Sequence, residues 1–372
     1  MKERFKKIRM DGTINVNMDS KKGVWTADKR TVINMMRLVC EEYQRDNYTL
    51  TLRQLYYQLV SRDVIPNHDK VYKKISSLKD DAVYGGLIDW NIFEDRGRVP
   101  SVPYHVDGIE HALERAASWH TLDRQENQNN HIEVWTEKDA ISSILKRVTS
   151  PFGVTLVVNK GYTSSTAIYG AYKRFSEAIN HGQKIKILYF GDHDPSGLDM
   201  IRDINDRLMM MFIRGADEDI LNDAFGHWKE KAYSVYDVLN LNDRYEKVGS
   251  LMEGNDSDEV YELFEQGQKE LYLKDKGFFE IIQVGLTMDQ INEFNPPPNP
   301  AKMTDPRMKG YVAKFGRVSW EVDALKPKVM ERIVKSAIIS QMNMDMYDAI
   351  LKIEKEEKKI IRGFSDKINE EE

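Results

Sequence analysis

The stretch Leu188-Tyr189-Phe190-Gly191-Asp192-His193-Asp194-Pro195-Ser196-Gly197 drives an apolar strand straight into two carboxylates one residue apart. Upstream, Val134-Trp135-Thr136-Glu137-Lys138 is a second apolar run that ends in an acid. A parallel sheet would bring both strand ends to its carboxyl edge, where open α/β folds place their ligands. The spacing therefore predicts that Glu137, Asp192 and Asp194 meet. Three clustered carboxylates repel one another unless a cation lies between them. Hard oxygen donors suit Mg²⁺, whose usual partner is a phosphate, so phosphoryl transfer is the expected chemistry.

Around that stretch the pattern alternates. Strand 131–136, helix 138–148, strand 154–159, helix 164–180, strand 184–191 and helix 197–213 read as βαβαβα, which predicts an α/β fold with a parallel sheet flanked by helices. A further strand is expected at 278–286, and helices at 326–341 and 344–361. Asn295-Pro296-Pro297-Pro298-Asn299-Pro300 reads as a rigid extended loop. Toward the amino terminus the period changes to that of helices. Val32, Met35, Met36, Val39 and Tyr43 recur at three and four residues over 28–45. A second helix opens at Thr51, with Gln54 three residues on as a capping box. A third covers 69–84 and stops at Gly85-Gly86. Ile88, Trp90 and Ile92 then alternate with polar residues as a strand, so three helices and a wing predict a winged helix. The expected divisions are a basic arm at 1–24, the winged helix at 25–124 and the metal-binding α/β unit at 131–341. A charged helical tail at 342–372 follows. Gln125–Asn130 is expected to be a solvated linker.

Composition narrows the class. The chain has 372 residues, 41% of them hydrophobic, enough for two cores. The lone cysteine excludes an internal disulfide and a thiolate zinc site. No apolar run approaches the ~18 residues that span a bilayer, and no apolar stretch follows the charged start; a cytoplasmic protein without a membrane partner is expected. The net charge of −6 is uneven: residues 1–100 hold 19 basic and 14 acidic side chains. A first unit at +5 beside a remainder at −11 permits DNA binding by the first.

On the second helix, Leu52, Leu55, Tyr56, Leu59 and Val60 form the apolar stripe at ~100° per residue. Tyr57 falls clear of it with Arg53 one turn earlier on the same flank. That predicts an exposed phenol beside a guanidinium, a cation able to lower the phenol's pKa and to bind a phosphate under attack.

Taken together, Thr51-Leu52-Arg53-Gln54-Leu55-Tyr56-Tyr57, Glu137-Lys138-Asp139-Ala140 and Gly191-Asp192-His193-Asp194-Pro195-Ser196-Gly197 resemble the A subunit of DNA topoisomerase VI and its meiotic double-strand-break relatives. The resemblance is strongest to the stand-alone mini-A proteins and spans roughly 28–213. Ser319-Trp320-Glu321-Val322-Asp323-Ala324-Leu325-Lys326-Pro327 also looks like that family's carboxyl-terminal segment. It implies a winged helix joined to a Toprim domain, with Tyr57 as nucleophile, Arg53 as its arginine, and Glu137, Asp192 and Asp194 as Mg²⁺ ligands. It also implies a homodimer in which Tyr57 faces the other chain's metal. The motif Lys160-Gly161-Tyr162 continues as Thr163-Ser164 where the family has Pro-Asp. No ATP-binding motif of the family's B subunit occurs, so an ATPase partner would be a separate chain.

The expected function is Mg²⁺-dependent cleavage of double-stranded DNA through a 5′-phosphotyrosyl link. The alternatives are a Toprim nuclease that uses metal-bound water, and a non-enzymatic DNA-binding protein. Lys73, Lys74 and Lys79 on the third helix, with Arg96 and Arg98 after the wing, are the expected phosphate contacts.

Overall fold

A computed structural model describes residues 12–18, 23–94, 103–215, 278–300 and 308–371. Arg96 and Arg98 lie outside the described residues, as does most of the expected basic arm.

The amino-terminal unit is a two-stranded ribbon and three helices. β1 (Thr13–Asn17) pairs antiparallel with β2 (Val24–Asp28). β1 falls within the segment expected to be an arm, at 1–24, because Ile14 and Val16 alternate with polar residues and bury one face. Asp28 then caps α1 (Lys29–Arg45) by accepting from the Thr31 N–H at 2.8 Å. α2 (Leu52–Val60) opens with the predicted capping box between Thr51 and Gln54. α3 (Asp69–Tyr84) ends at Gly85, and Gly86 takes φ +73°, a left-handed turn. The strand expected at 88–92 is instead a short 3-10 turn over Trp90–Ile92. Asp89 accepts from the Asn91 N–H at 3.0 Å, and that local cap outcompetes a strand pairing. The antiparallel ribbon thus precedes the three helices rather than following them.

After α4 (Ile109–Trp119) comes a four-stranded, wholly parallel sheet: β3 (Asn130–Thr136), β4 (Thr155–Val158), β5 (Lys184–Phe190) and β6 (Phe279–Gly285). The spatial order is β4-β3-β5-β6. The chain therefore winds outward in both directions from the β3/β5 pair, and a crevice opens there at the carboxyl edge. α5 (Ser142–Thr149) and α10 (Pro327–Gln341) cover the face carrying Ile132, Val134, Leu188 and Phe190. α6 (Ser165–Asn180) and α7 (Pro195–Gly215) cover the face carrying Trp135, Ile185, Ile187 and Tyr189. α8 (Met288–Phe294), β7 (Asn299–Pro300), α9 (Met308–Phe315) and β8 (Val318–Ser319) lead into α10, and α11 (Met344–Glu371) closes the described chain.

Two features bind these parts together. The core of α1–α3 is continuous with the α5/α10 face of the sheet. The polar run at 125–130, expected to be solvated, is instead half structural. Gln125 and Gln128 are buried; the Gln125 amide donates to the Ile132 carbonyl and accepts from its N–H, and Gln128 does the same with Asn343. Buried amides fully paired to backbone act as brackets here. The tail is helical as expected but docked, since Glu354 of α11 accepts from Arg124 at 3.0 Å. Among the described residues no helix is long and apolar enough to cross a membrane.

Candidate active site

The site stands at the carboxyl ends of β3 and β5. Asp194 precedes Pro195, the first residue of α7, and accepts the Gly197 N–H at 2.6 Å, so it caps that helix. A Cβ on Gly197 would lie 2.3 Å from the Asp192 carbonyl oxygen, which is why only glycine lets α7 start so close to the strand end. His193 pairs with Trp320 as an antiparallel bridge, its N–H donating to the Trp320 carbonyl at 2.9 Å. That bridge lays the following residues, Glu321 to Asp323, over the strand ends. The Val322 N–H donates to Asp192 Oδ1 at 2.9 Å.

Lys138 is the centre of the cluster. Its Nζ lies 2.5 Å from Asp192 Oδ2 and 3.3 Å from Glu321 Oε2. Arg53, reaching across from α2, pairs with Glu321 and brings its Nε to 3.0 Å from Asp323 Oδ2. The nitrogen is near but not aimed at that oxygen, and neither oxygen of the buried Asp323 accepts a hydrogen bond. Tyr57 stands at the end of the row, its ring 5.7 Å from the Arg53 guanidinium.

The charges are poorly reconciled. Burial, then repulsion from Asp192 and Asp194, pushes Glu137 up to about 7 against the pull of Lys138. Asp192 is also raised, chiefly by burial. Burial pushes Asp323 up to about 7, with Glu321 and Asp192 adding to it. Glu321 goes the other way: burial opposes its ionisation, but Lys138 and Arg53 outweigh that and hold it down at about 2. The Tyr57 phenol is raised, first by burial and then by the Glu321 charge, and Arg53 only partly offsets this.

Several sequence expectations meet these facts. Arg53 lies on the exposed flank, but Tyr57 does not: it is only 7% accessible, because the 322–324 turn packs on α2. A helical wheel carries no information about a segment more than two hundred residues away. Tyr56 is buried as expected, and its phenol accepts from the His68 N–H at 2.7 Å. Tyr57 lies beside its own chain's cluster, so no second chain is required to bring the two together. Lys73 and Lys74 are exposed on α3, while Lys79 is half-buried and 2.5 Å from Asp80. Lys138 is largely enclosed. Glu321 and Asp323 were legible only through the Ser319–Pro327 resemblance.

The donor chemistry of Glu137, Asp192 and Asp194 fits a hard divalent cation, and a cation there would relieve the charge that lifts Glu137. Their arrangement is a different matter. Among the described residues no three His, Cys, Asp or Glu side chains are grouped to hold one metal ion. Both Asp192 oxygens are engaged, one by the Val322 N–H and the other by Lys138. The ammonium of Lys138 thus supplies the positive charge in this structure. Neither a family model nor a curated protein nor a solved structure matches the chain, so the functional reading rests on these residues.

Proposed function

We propose that the protein cleaves DNA by transesterification, with Tyr57 as the nucleophile and Arg53 holding the phosphate under attack. The observation that carries this reading is the row Arg53, Glu321, Lys138 and Asp192, joined by ion pairs at the switch point of the sheet, with the Tyr57 ring beside Arg53. Glu321 is the acceptor for the phenol proton, but two cations keep it weakly basic at rest. A phosphate that engages Arg53 removes one of those cations from Glu321 and raises its basicity as the substrate arrives. The phenolate oxygen then bonds to phosphorus, the bond from phosphorus to the 3′-oxygen breaks, and the 5′-phosphate stays on Tyr57. Asp192 is held here by Lys138 and the Val322 N–H, so Mg²⁺ would have to displace Lys138 before Glu137, Asp192 and Asp194 could hold it; once bound, it would supply charge stabilisation for the leaving oxygen.

On this reading the α1–α3 unit grips the duplex as a winged helix, with Lys73 and Lys74 on phosphates, and the α/β unit is a Toprim domain. One tyrosine cuts one strand, so a double-strand break takes two chains, each working with its own Tyr57. The test incubates the protein with labelled supercoiled DNA and Mg²⁺ and separates the products on a denaturing gel. Label should migrate with protein, and Tyr57→Phe should abolish that band. Mixing inactive Tyr57→Phe with inactive Asp192→Ala protein should restore nothing; recovery would show that the two groups come from different chains.

A second reading has one observation in its favour. Tyr57 is buried and its phenol is held strongly protonated, which suits a hydrolytic nuclease in which water attacks. In that case DNA is cut with no protein attached.

A further inference from the structure

Beside the row of charges lies an open groove of about 560 Å³ that shares Arg53 with the cleavage chemistry. It is lined by Arg53 of α2, by Tyr72 and Lys79 of α3, and by Trp90, Phe93 and Glu94. Asp139, one residue from Lys138 and 3.4 Å from the Lys160 ammonium, also lines it. Arg53 is therefore common to the groove and to the row that ends at Tyr57.

Trp90 lines the groove and is exposed, with the Tyr84 ring packed on it. Trp90 is 56% accessible and Tyr84 is 65% accessible, and the two pack edge to face with ring centroids 4.8 Å apart. They spend their apolar area on each other and on solvent. The Lys79 ammonium stands 5.4 Å from the Phe93 ring centroid, so a cation and an aromatic face are presented together. Flat aromatic faces beside a guanidinium and an ammonium make the combination that recognises an unstacked base with its phosphate. A groove of this volume admits one nucleotide and excludes a paired duplex. Asp139 adds an acceptor for the N–H groups that every base carries on its pairing edge.

We propose that this groove binds one unpaired nucleotide next to the scissile phosphate, its base against Trp90 and Phe93 and its phosphate at Lys79, with Arg53 on the scissile phosphate beside it. The proposal rests on the DNA-cleavage reading and adds the substrate form: duplex with a gap, a flap or a locally opened pair. Sequence preference at that nucleotide would be slight, since stacking is available to any base.

The test compares two labelled duplexes of the same sequence, one fully paired and one with a single unpaired 2-aminopurine, in excess chelator so that no DNA is cut. The unpaired form should bind about tenfold more tightly, with a change in 2-aminopurine emission on binding. Trp90→Ala and Phe93→Ala should each erase most of that preference while leaving affinity for the paired duplex within about twofold. Trp90 is exposed, so its variant should melt like the parent, and Tyr84→Ala, which removes the ring packed on Trp90, provides a second probe. Equal affinity for the two duplexes, or a preference that survives both alanine variants, overturns the groove and leaves the cleavage reading standing. Failure to bind either duplex overturns both.

Discussion

Two groups of buried carboxylates grow from the same strand, β3, and are built in opposite ways. Glu133 is enclosed on the α6/α7 face, where it accepts from the Trp135 indole at 2.8 Å and from Arg174 at 2.6 and 3.0 Å. His131 Nε2 lies 3.5 Å away. Burial alone would raise Glu133, yet these partners outweigh it and its pKa is lowered. Four residues later Glu137 is pushed up to about 7, as is Asp323 across the crevice, with no hydrogen bond to either Asp323 oxygen. The first group is a finished ion pair whose task is structural. The second stays costly in the folded chain, which is the condition that a bound cation or phosphate relieves and the mark of a functional centre.

The sharpest way to break that contrast is to remove a partner from the finished group. Arg174→Met leaves a charge buried without its main counter-ion and should cost about 3–5 kcal/mol in urea unfolding. Asp323→Asn, which removes a charge that is badly housed, should cost far less. If Asp323→Asn proves the more damaging, the two groups have been assigned the wrong way round.

Next in size is pH. Glu137 and Asp323 keep their protons in the folded state up to about 7, while ordinary values of 4.5 and 3.8 hold in the unfolded chain. The folded state therefore binds more protons across that window, so stability should fall as pH rises from about 4 to 7 and level off above it. The fall should be on the order of 2 kcal/mol, and Glu137→Gln combined with Asp323→Asn should flatten it. Glu133 has the opposite sign: its contribution is lost only as pH falls below the usual carboxylate range.

Smaller again is the effect of a divalent cation on folding. At pH 8 Mg²⁺ or Mn²⁺ should stabilise the parent by about 1.4 kcal/mol at tenfold excess over its Kd. Calorimetric unfolding should show no such gain for Asp192→Ala, and an equal gain in that variant would place the ion elsewhere. The smallest effect separates the two tyrosines. Tyr56→Phe loses the bond from the His68 N–H and should cost about 1 kcal/mol of stability while keeping activity.

Much of the scaffold was legible because it is local. Capping at Thr51, the stop at Gly85-Gly86 and the alternation from 130 to 215 are short-range signals, and the elements stand where they predict. What the sequence hid was long-range. Tyr57 is covered by the turn at 322–324, Lys138 is drawn in by Asp192 and Glu321, and Gln128 is taken up by the backbone of Asn343. The expected wing strand failed for a local reason, since Asp89 caps its own neighbour. A lysine beside a candidate ligand and two acids in a distant Trp-Glu-Val-Asp stretch give no periodic signal. The His193–Trp320 bridge and the Val322 N–H bond to Asp192 join them.

The central claim is that the unreconciled cluster activates Tyr57. Trypsin should cut after Arg53 and Arg62 and release Gln54–Arg62, a peptide that holds both Tyr56 and Tyr57. After reaction with DNA and Mg²⁺, nuclease trimming and tryptic digestion, tandem mass spectrometry should find a nucleotide phosphate on Tyr57 and none on Tyr56. Cleaved DNA with an unmodified peptide, or the adduct on Tyr56, would contradict the account.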